Sequence, residues 1–343
     1  MSVITSVLGN GLSVVTHHMP HVETVSLGVW VGAGSRDEQV HQNGLAHMLE
    51  HMAFKGTNAR TSYQIAAEIE AAGGDMNAST SMETTAYYAR VLRDDWQLAL
   101  DVISDIVLDP LFAEDDLSLE KGVIIQEISA AQDTPDDLVF DMVQSLAWPD
   151  HALGRDILGT KESVKSFTRE DLSLYRDRHY IVPRTVIAAA GHINHQVLVE
   201  AVSERFASLA TGTASDRTIP VYSGGFAKKK RSLDQTHQVM AFPAPGYLHK
   251  DIYAAHLLAG ILGGGMSSRL FQEARERRGL CYSTFAHMSA FSDTGLLQIY
   301  AGTAPETAKE FTKVASDILL TATKDVTQEE LDRARAQLKA SLV

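Results

Sequence analysis

His47-Met48-Leu49-Glu50-His51 carries two imidazoles four residues apart, with a carboxylate between them. Leu45, Met48, Leu49, Met52 and Ala53 recur around it at helical spacing, which predicts a buried helix. On such a helix, positions i and i+4 share one face about a turn apart, so both rings can reach one cation. Glu50, three residues after His47, borders that face and is placed to touch water on the metal rather than the metal itself. Two neutral imidazoles on one turn are a typical zinc half-site, and zinc lowers the pKa of bound water to about 7. A carboxylate beside that water can take its proton and later pass it to a leaving amine. The competing reading is a structural cluster of hydrogen-bonded core side chains. Against it, two histidines and a glutamate in an otherwise apolar helix are costly to bury without a task.

The elements that must hold this helix are legible on either side of it. Residues 25–31 alternate as a strand, Gly32-Ala33-Gly34 makes a turn, and Lys55-Gly56-Thr57 ends the helix. Strands are also expected at 5–7 and 12–16, around a turn at Gly9-Asn10-Gly11. Helix 62–72, capped by Thr61 or Ser62 and stopped by Gly73-Gly74, precedes strands 75–81 and 84–91. The first of these contains Asn77-Ala78-Ser79-Thr80, an edge on which an extended peptide can pair. Helices are expected at 96–108, 114–130, 135–147, 169–179 and 195–207, with a buried strand at 186–190. Helix 114–130 places Glu120 and Glu127 two turns apart on one face, with Val123, Ile124, Ile125 and Ile128 around Glu127. By its residues alone, Glu127 is either a third metal ligand or an ordinary acid on an amphipathic edge.

Composition narrows the class. The chain has 343 residues, 45% of them hydrophobic and 21% charged, which fits a globular protein of two domains. A net charge of −13 argues against a nucleic-acid partner and leaves room for a cationic one. Cys281 is the single cysteine, so no internal disulfide forms and its expected role is packing. The start, Met1-Ser2-Val3-Ile4-Thr5-Ser6, lacks the basic and apolar regions of a signal peptide, and no stretch is apolar enough to span a membrane. The cytoplasm is the expected compartment. His17, His18 and His21 are expected in a surface loop.

The second half repeats the first. Ala46-His47-Met48-Leu49-Glu50-His51 lines up with Ala255-His256-Leu257-Leu258-Ala259-Gly260, and Ser104-Asp105-Ile106 with Ser316-Asp317-Ile318. The copy has Ala259 and Gly260 where the first repeat has Glu50 and His51, so it has lost the metal site. This divides the chain into a first domain at 1–210, a linker at 211–226 and a second repeat at 227–343. By the same alignment the second repeat is expected to be incomplete, lacking counterparts of two helices, a strand and a final helix.

His47-x-x-Glu50-His51, followed by Glu127 in Val123-Ile124-Ile125-Gln126-Glu127, resembles the inverted zinc motif of the M16 metallopeptidases. The resemblance is strongest to the processing-peptidase branch, the mitochondrial processing peptidase β-subunit and its bacterial homologues. Asn10-Gly11-Leu12, Phe54-Lys55-Gly56-Thr57, Tyr87-Tyr88-Ala89, Gly154-Arg155-x-Ile157-Leu158-Gly159 and Ser268-Arg269-Leu270-Phe271 add to it, so it covers essentially the whole chain. It implies an α+β fold of two duplicated domains, each an antiparallel sheet flanked by helices, enclosing a chamber. It implies one Zn2+ on His47, His51 and Glu127, with Glu50 as general base and Glu120 as an additional acid behind the ligands. Arg275-x6-Tyr282 matches the pair with which the family holds the substrate carbonyl from its inert domain. The activity implied is endopeptidase cleavage of extended peptides or presequences by a bacterial homodimer. The family also supplies non-catalytic subunits to respiratory complexes, but those usually lose zinc ligands, and here all three stand beside Glu50.

Overall fold

The backbone N–H and C=O groups of a buried strand need partners on both edges. Thr24–Val31 (β3), with Val25, Leu27, Val29 and Val31 buried, has them. Thr85–Leu92 (β5) lies on one side and Thr185–Gly191 (β6) on the other, both antiparallel to it. At the centre of β3, a Cβ on Gly28 would stand 2.5 Å from the Tyr87 carbonyl oxygen, so only glycine lets β5 approach this closely. With Val3–Val7 (β1), Ser13–His18 (β2) and Asp75–Thr80 (β4), these strands form a six-stranded sheet in the order β1-β2-β6-β3-β5-β4. The β2–β6 pair is parallel and the others are antiparallel. β4 is therefore an edge strand, paired with β5 alone among the described strands.

The computed structural model describes residues 3–342. Met1, Ser2 and Val343, where the readings of the N-terminus begin and of the second repeat end, lie outside them. Two units are present: Met1–Ser129 with Arg155–Arg217, and Ala130–Gly154 with Thr218–Val343.

In the first unit the helices are Leu45–Ala53 (α1), Ser62–Ala71 (α2), Trp96–Leu108 (α3), most of Glu114–Asp133 (α4), Lys161–Ser166 (α6), Arg169–His179 (α7) and His195–Arg205 (α8). α1 buries Leu45, Ala46, Met48, Leu49, Met52 and Ala53 in one core with β3 and with Val102, Ile103 and Ile106 of α3. His47, Glu50 and His51 are the motif residues on its remaining, half-buried face. α2 starts at Thr61, whose hydroxyl accepts from Gln64 N, as the capping residues predict. The loop after β3 is held by charge: Asp37 is paired with Arg184 and Arg217, each at 2.7 Å. Against the burial that would raise it, these guanidiniums hold the Asp37 carboxyl below its ordinary value. Arg36 pairs with Glu83 at 2.6 Å beside them.

The second unit has a three-stranded antiparallel sheet of Thr236–Ala244 (β7), Cys281–Ala290 (β8) and Gly295–Thr303 (β9), in the order β7-β9-β8. Ile252–Gly263 (α9), Ala308–Asp325 (α10) and Gln328–Ser341 (α11) complete it with a short π-helix at Phe271–Arg277. β3-β5-β4 and β7-β9-β8 have the same order and the same antiparallel sense. α9 and α10 follow their strands as α1 and α3 do, so the repeat in sequence is a repeat in topology. Cys281 is buried in this unit's core.

Two expectations are corrected. The division at 210 assigns Pro135–Ala147 (α5) to the first domain, but this helix packs with the second unit. Phe140 stacks on Phe285 and Tyr300, and Trp148, just after α5, meets Phe291 edge-on. His17 and His18 lie on β2 rather than in a loop, and the His18 ring nitrogen Nδ1 donates to the Ile193 carbonyl. No described helix is long and apolar enough to cross a membrane.

Removing one partner of a buried ion pair leaves the other charge uncompensated. Asp37→Ala is therefore expected to destabilise the first unit by about 3 kcal/mol in urea unfolding. Arg90→Ala, which breaks an exposed pair with Asp75 in the same unit, should change it by less than about 1 kcal/mol.

Candidate functional site

α1 presents its imidazoles toward α4. His47 Nε2 and His51 Nε2 each stand 3.7 Å from Glu127 Oε2, and the two rings meet edge to face at 4.6 Å. Among the described residues these three form the one group of His, Cys, Asp or Glu donors fit for a metal, its ligand atoms all within 4.8 Å of one another. Donors 3.7 Å apart can be spanned by a cation that takes nitrogen and oxygen at about 2.0–2.2 Å, as zinc does. The tautomers suit it too. His51 Nδ1 is engaged by Glu120 Oε2 at 2.9 Å, which leaves Nε2 as the free donor. Burial, and then the neighbouring His51, lower the His47 pKa to about 4, so its ring is neutral at pH 7 and offers a lone pair. The His47 Nδ1 atom is buried without a hydrogen-bond partner.

Two further contacts organise the acids. Lys55 Nζ lies 2.6 Å from Glu120 Oε1. Against burial, Lys55 and His51 together hold the Glu120 carboxyl below its ordinary value, as the anion that His51 needs. Glu50 is raised by burial, an effect opposed by the hydroxyl of Thr80, which donates to Glu50 Oε2 at 2.5 Å.

The start of α1 is secured by Glu38. Its Oε1 accepts from Ala46 N at 2.8 Å and its Oε2 from Gly44 N at 2.9 Å, so one carboxyl serves two of the N–H groups a helix start leaves unpaired. Gly44 stands at φ +95°, and a Cβ there would meet the Leu158 carbonyl oxygen at 2.6 Å. Burial pushes the Glu38 carboxyl up to about 8, in spite of these donors.

The structure thus gathers His47, Glu50, His51, Glu120 and Glu127 in the first unit. In the second unit it brings Arg275 and Tyr282 together. The Arg275 guanidinium lies over the Tyr282 ring at 5.0 Å and over the Phe271 ring at 4.5 Å. Tyr282 sits where the β8–β9 register shifts, between Cys281 and Ser283, and is 77% exposed. The sequence reading missed Glu38, Lys55 and Thr80. Only Lys55 carried a local signal, lying one turn beyond His51.

Residues 13–161 match the family described as insulinase (peptidase family M16), and residues 166–338 match the peptidase M16 inactive domain. An uncharacterised zinc protease of Rickettsia felis is 40% identical over 339 residues, covering 98% of this chain and 82% of that protein. The uncharacterised zinc protease YmxG of Bacillus subtilis is 38% identical, covering 97% of this chain and 82% of its own length. A crystal structure of a protease from Helicobacter pylori superposes with a TM-score of 0.92 at 24% identity, covering 99% of this chain and 85% of that one. The structure of a peptidase M16 inactive domain from Pseudomonas fluorescens does so with a TM-score of 0.91 at 23% identity, covering 99% and 84%. At these identities the two structures show likeness of fold.

Glu120→Gln keeps the shape but not the charge behind His51. It is expected to weaken zinc binding about 10- to 100-fold, as measured by competition with a chelator of known affinity. A second expectation concerns pH. The folded protein holds a proton on Glu38 that the unfolded chain, with an ordinary value of 4.5, has released. The contribution of this group to stability is therefore complete below about pH 4.5 and is lost as pH rises through about 8. Urea unfolding between these limits should show a downward slope in the wild type that is reduced in Glu38→Gln.

Proposed function

This chain belongs to the peptidase M16 family, and from that premise we propose that it is a zinc endopeptidase acting on peptides bound in extended form. His47, His51 and Glu127 are the metal ligands and Glu50 is the general base. The observation that carries this reading is the convergence of two imidazoles and a carboxyl on one point, with a fourth side chain, Glu50, held beside them by a strand. A purely structural subunit has no use for that arrangement.

Zinc bound by these donors supplies a Lewis acid for the scissile carbonyl and a water of lowered pKa. The rest belongs to the chain. Glu50, held at Oε2 by the Thr80 hydroxyl, takes a proton from the attacking water. The water oxygen bonds to the carbonyl carbon, the carbon–nitrogen bond breaks, and Glu50 returns the proton to the leaving nitrogen. Glu120 keeps the His51 ring oriented with its proton on Nδ1. The open edge of β4 offers backbone donors and acceptors on which a peptide can add as a further strand. Arg275 and Tyr282 are assigned as donors to the carbonyl oxygen, on their family spacing and their contact with each other. The net charge of −13 favours cationic peptides, among them presequences.

The test is cleavage of a panel of unstructured peptides by the purified protein, with and without chelator, together with its metal content. Glu50→Gln should keep its zinc and lose about 10²- to 10⁴-fold in kcat. Tyr282→Phe should lower kcat about 10²- to 10³-fold with zinc unchanged. An unchanged kcat/KM would withdraw Tyr282 from the reaction.

A further inference from the structure

Thr80 is the last residue of β4, and its alternation decides where its side chain goes. Asp75, Asn77 and Ser79 are exposed, whereas Met76, Ala78 and Thr80 are wholly or partly covered. A strand sends alternate side chains to opposite faces, so the covered set faces inward and its last member meets Glu50 of α1. The hydroxyl donates and the carboxyl oxygen accepts, at 2.5 Å from Oγ1 to Glu50 Oε2.

A glutamate has three rotatable bonds and loses more side-chain freedom on ordering than most residues. Glu50 also stands within charge–charge reach of both His51 and Glu127. Left free, its carboxylate would be drawn onto a cation held by those two and would become a further ligand instead of a base. The Thr80 hydroxyl holds Oε2, and the Thr80 backbone adds a second hydrogen-bonding influence on the same carboxylate. Thr80 contributes its backbone to the same strand whose other edge is open: it is paired with Thr85 of β5 on one side only. The element on which a peptide would add and the element that aims the base are thus one strand.

Resting on the reading of Glu50 as general base, we propose that Thr80 is a positioning residue that fixes the Glu50 carboxylate beside the metal ligands and ties its aim to the strand on which the peptide pairs. The residue touches the base and not the reacting bond, so its effect falls on kcat.

Thr80→Val and Thr80→Ser test this. Valine has the shape and strand preference of threonine without the hydroxyl, and serine restores the hydroxyl. Thr80→Val is expected to lower kcat about 10- to 100-fold, the range for a lost hydrogen bond to a charged group, with KM changed by less than about threefold. Thr80→Ser should recover kcat to within about threefold of wild type. A readout independent of turnover is the unfolding of the metal-free protein in urea. Thr80→Val should lower the midpoint when Glu50 is present and leave it unchanged in a Glu50→Ala background. A kcat within about threefold of wild type for Thr80→Val overturns the inference, as does a fall that Thr80→Ser does not repair or an equal midpoint shift in both backgrounds. Those failures leave the proposed peptidase standing if Glu50→Gln is inactive. Turnover retained by zinc-loaded Glu50→Gln sinks the base assignment itself, and this inference with it.

Discussion

Burial of polar groups on one short helix is the constraint around which the first unit is arranged. α1 is covered on most of its circumference by apolar side chains, yet it carries two imidazoles and a carboxylate on the remaining face. Each of these loses water on folding, and each unsatisfied group costs about 1–3 kcal/mol. The compensation comes from elsewhere in the chain: Glu120 from α4 for His51, Thr80 from β4 for Glu50, Glu38 from the preceding loop for the first turn. His47 Nε2 and His51 Nε2 are left facing Glu127, an arrangement that a cation would satisfy.

The two repeats show what happens when the demand is absent. They share the order of three antiparallel strands and the helices between and after them. In the second, Ala259 and Gly260 replace the base and a ligand, and α9 keeps only His256 of the three polar motif positions. Its distinctive chemistry lies on the π-helix and the bulged start of β8, where Arg275 rests between the rings of Phe271 and Tyr282. A cation over two aromatic faces is attracted to both, so the rings help to hold the guanidinium, whose Nε also lies 3.9 Å from Glu276 Oε1.

Periodicity carried most of the fold into view. The spacing of Leu45, Met48, Leu49 and Met52 marks a helix with one apolar face, and the alternation in 25–31 and 84–91 marks strands; the structure has α1, β3 and β5 there. These signals are local, and helix and strand geometry are local properties. The allegiance of α5 was not visible, because nothing in Pro135–Ala147 states which sheet its apolar face will meet. The contacts of Phe140 with Phe285 and Tyr300 join residues far apart in the chain.

What the sequence by itself determined is the pairing of His47 with His51 on one face and of Glu120 with Glu127 on another, because one turn and two turns of helix are set by the backbone alone. What only the tertiary structure decided is that these two faces meet, and that Thr80, Lys55 and Glu38 hold the acids and the helix start. Those contacts depend on strand order and on how a helix seats on a sheet. No spacing along the chain encodes them, since they come into being only when the apolar surfaces of α1, α3 and β3 close on one another.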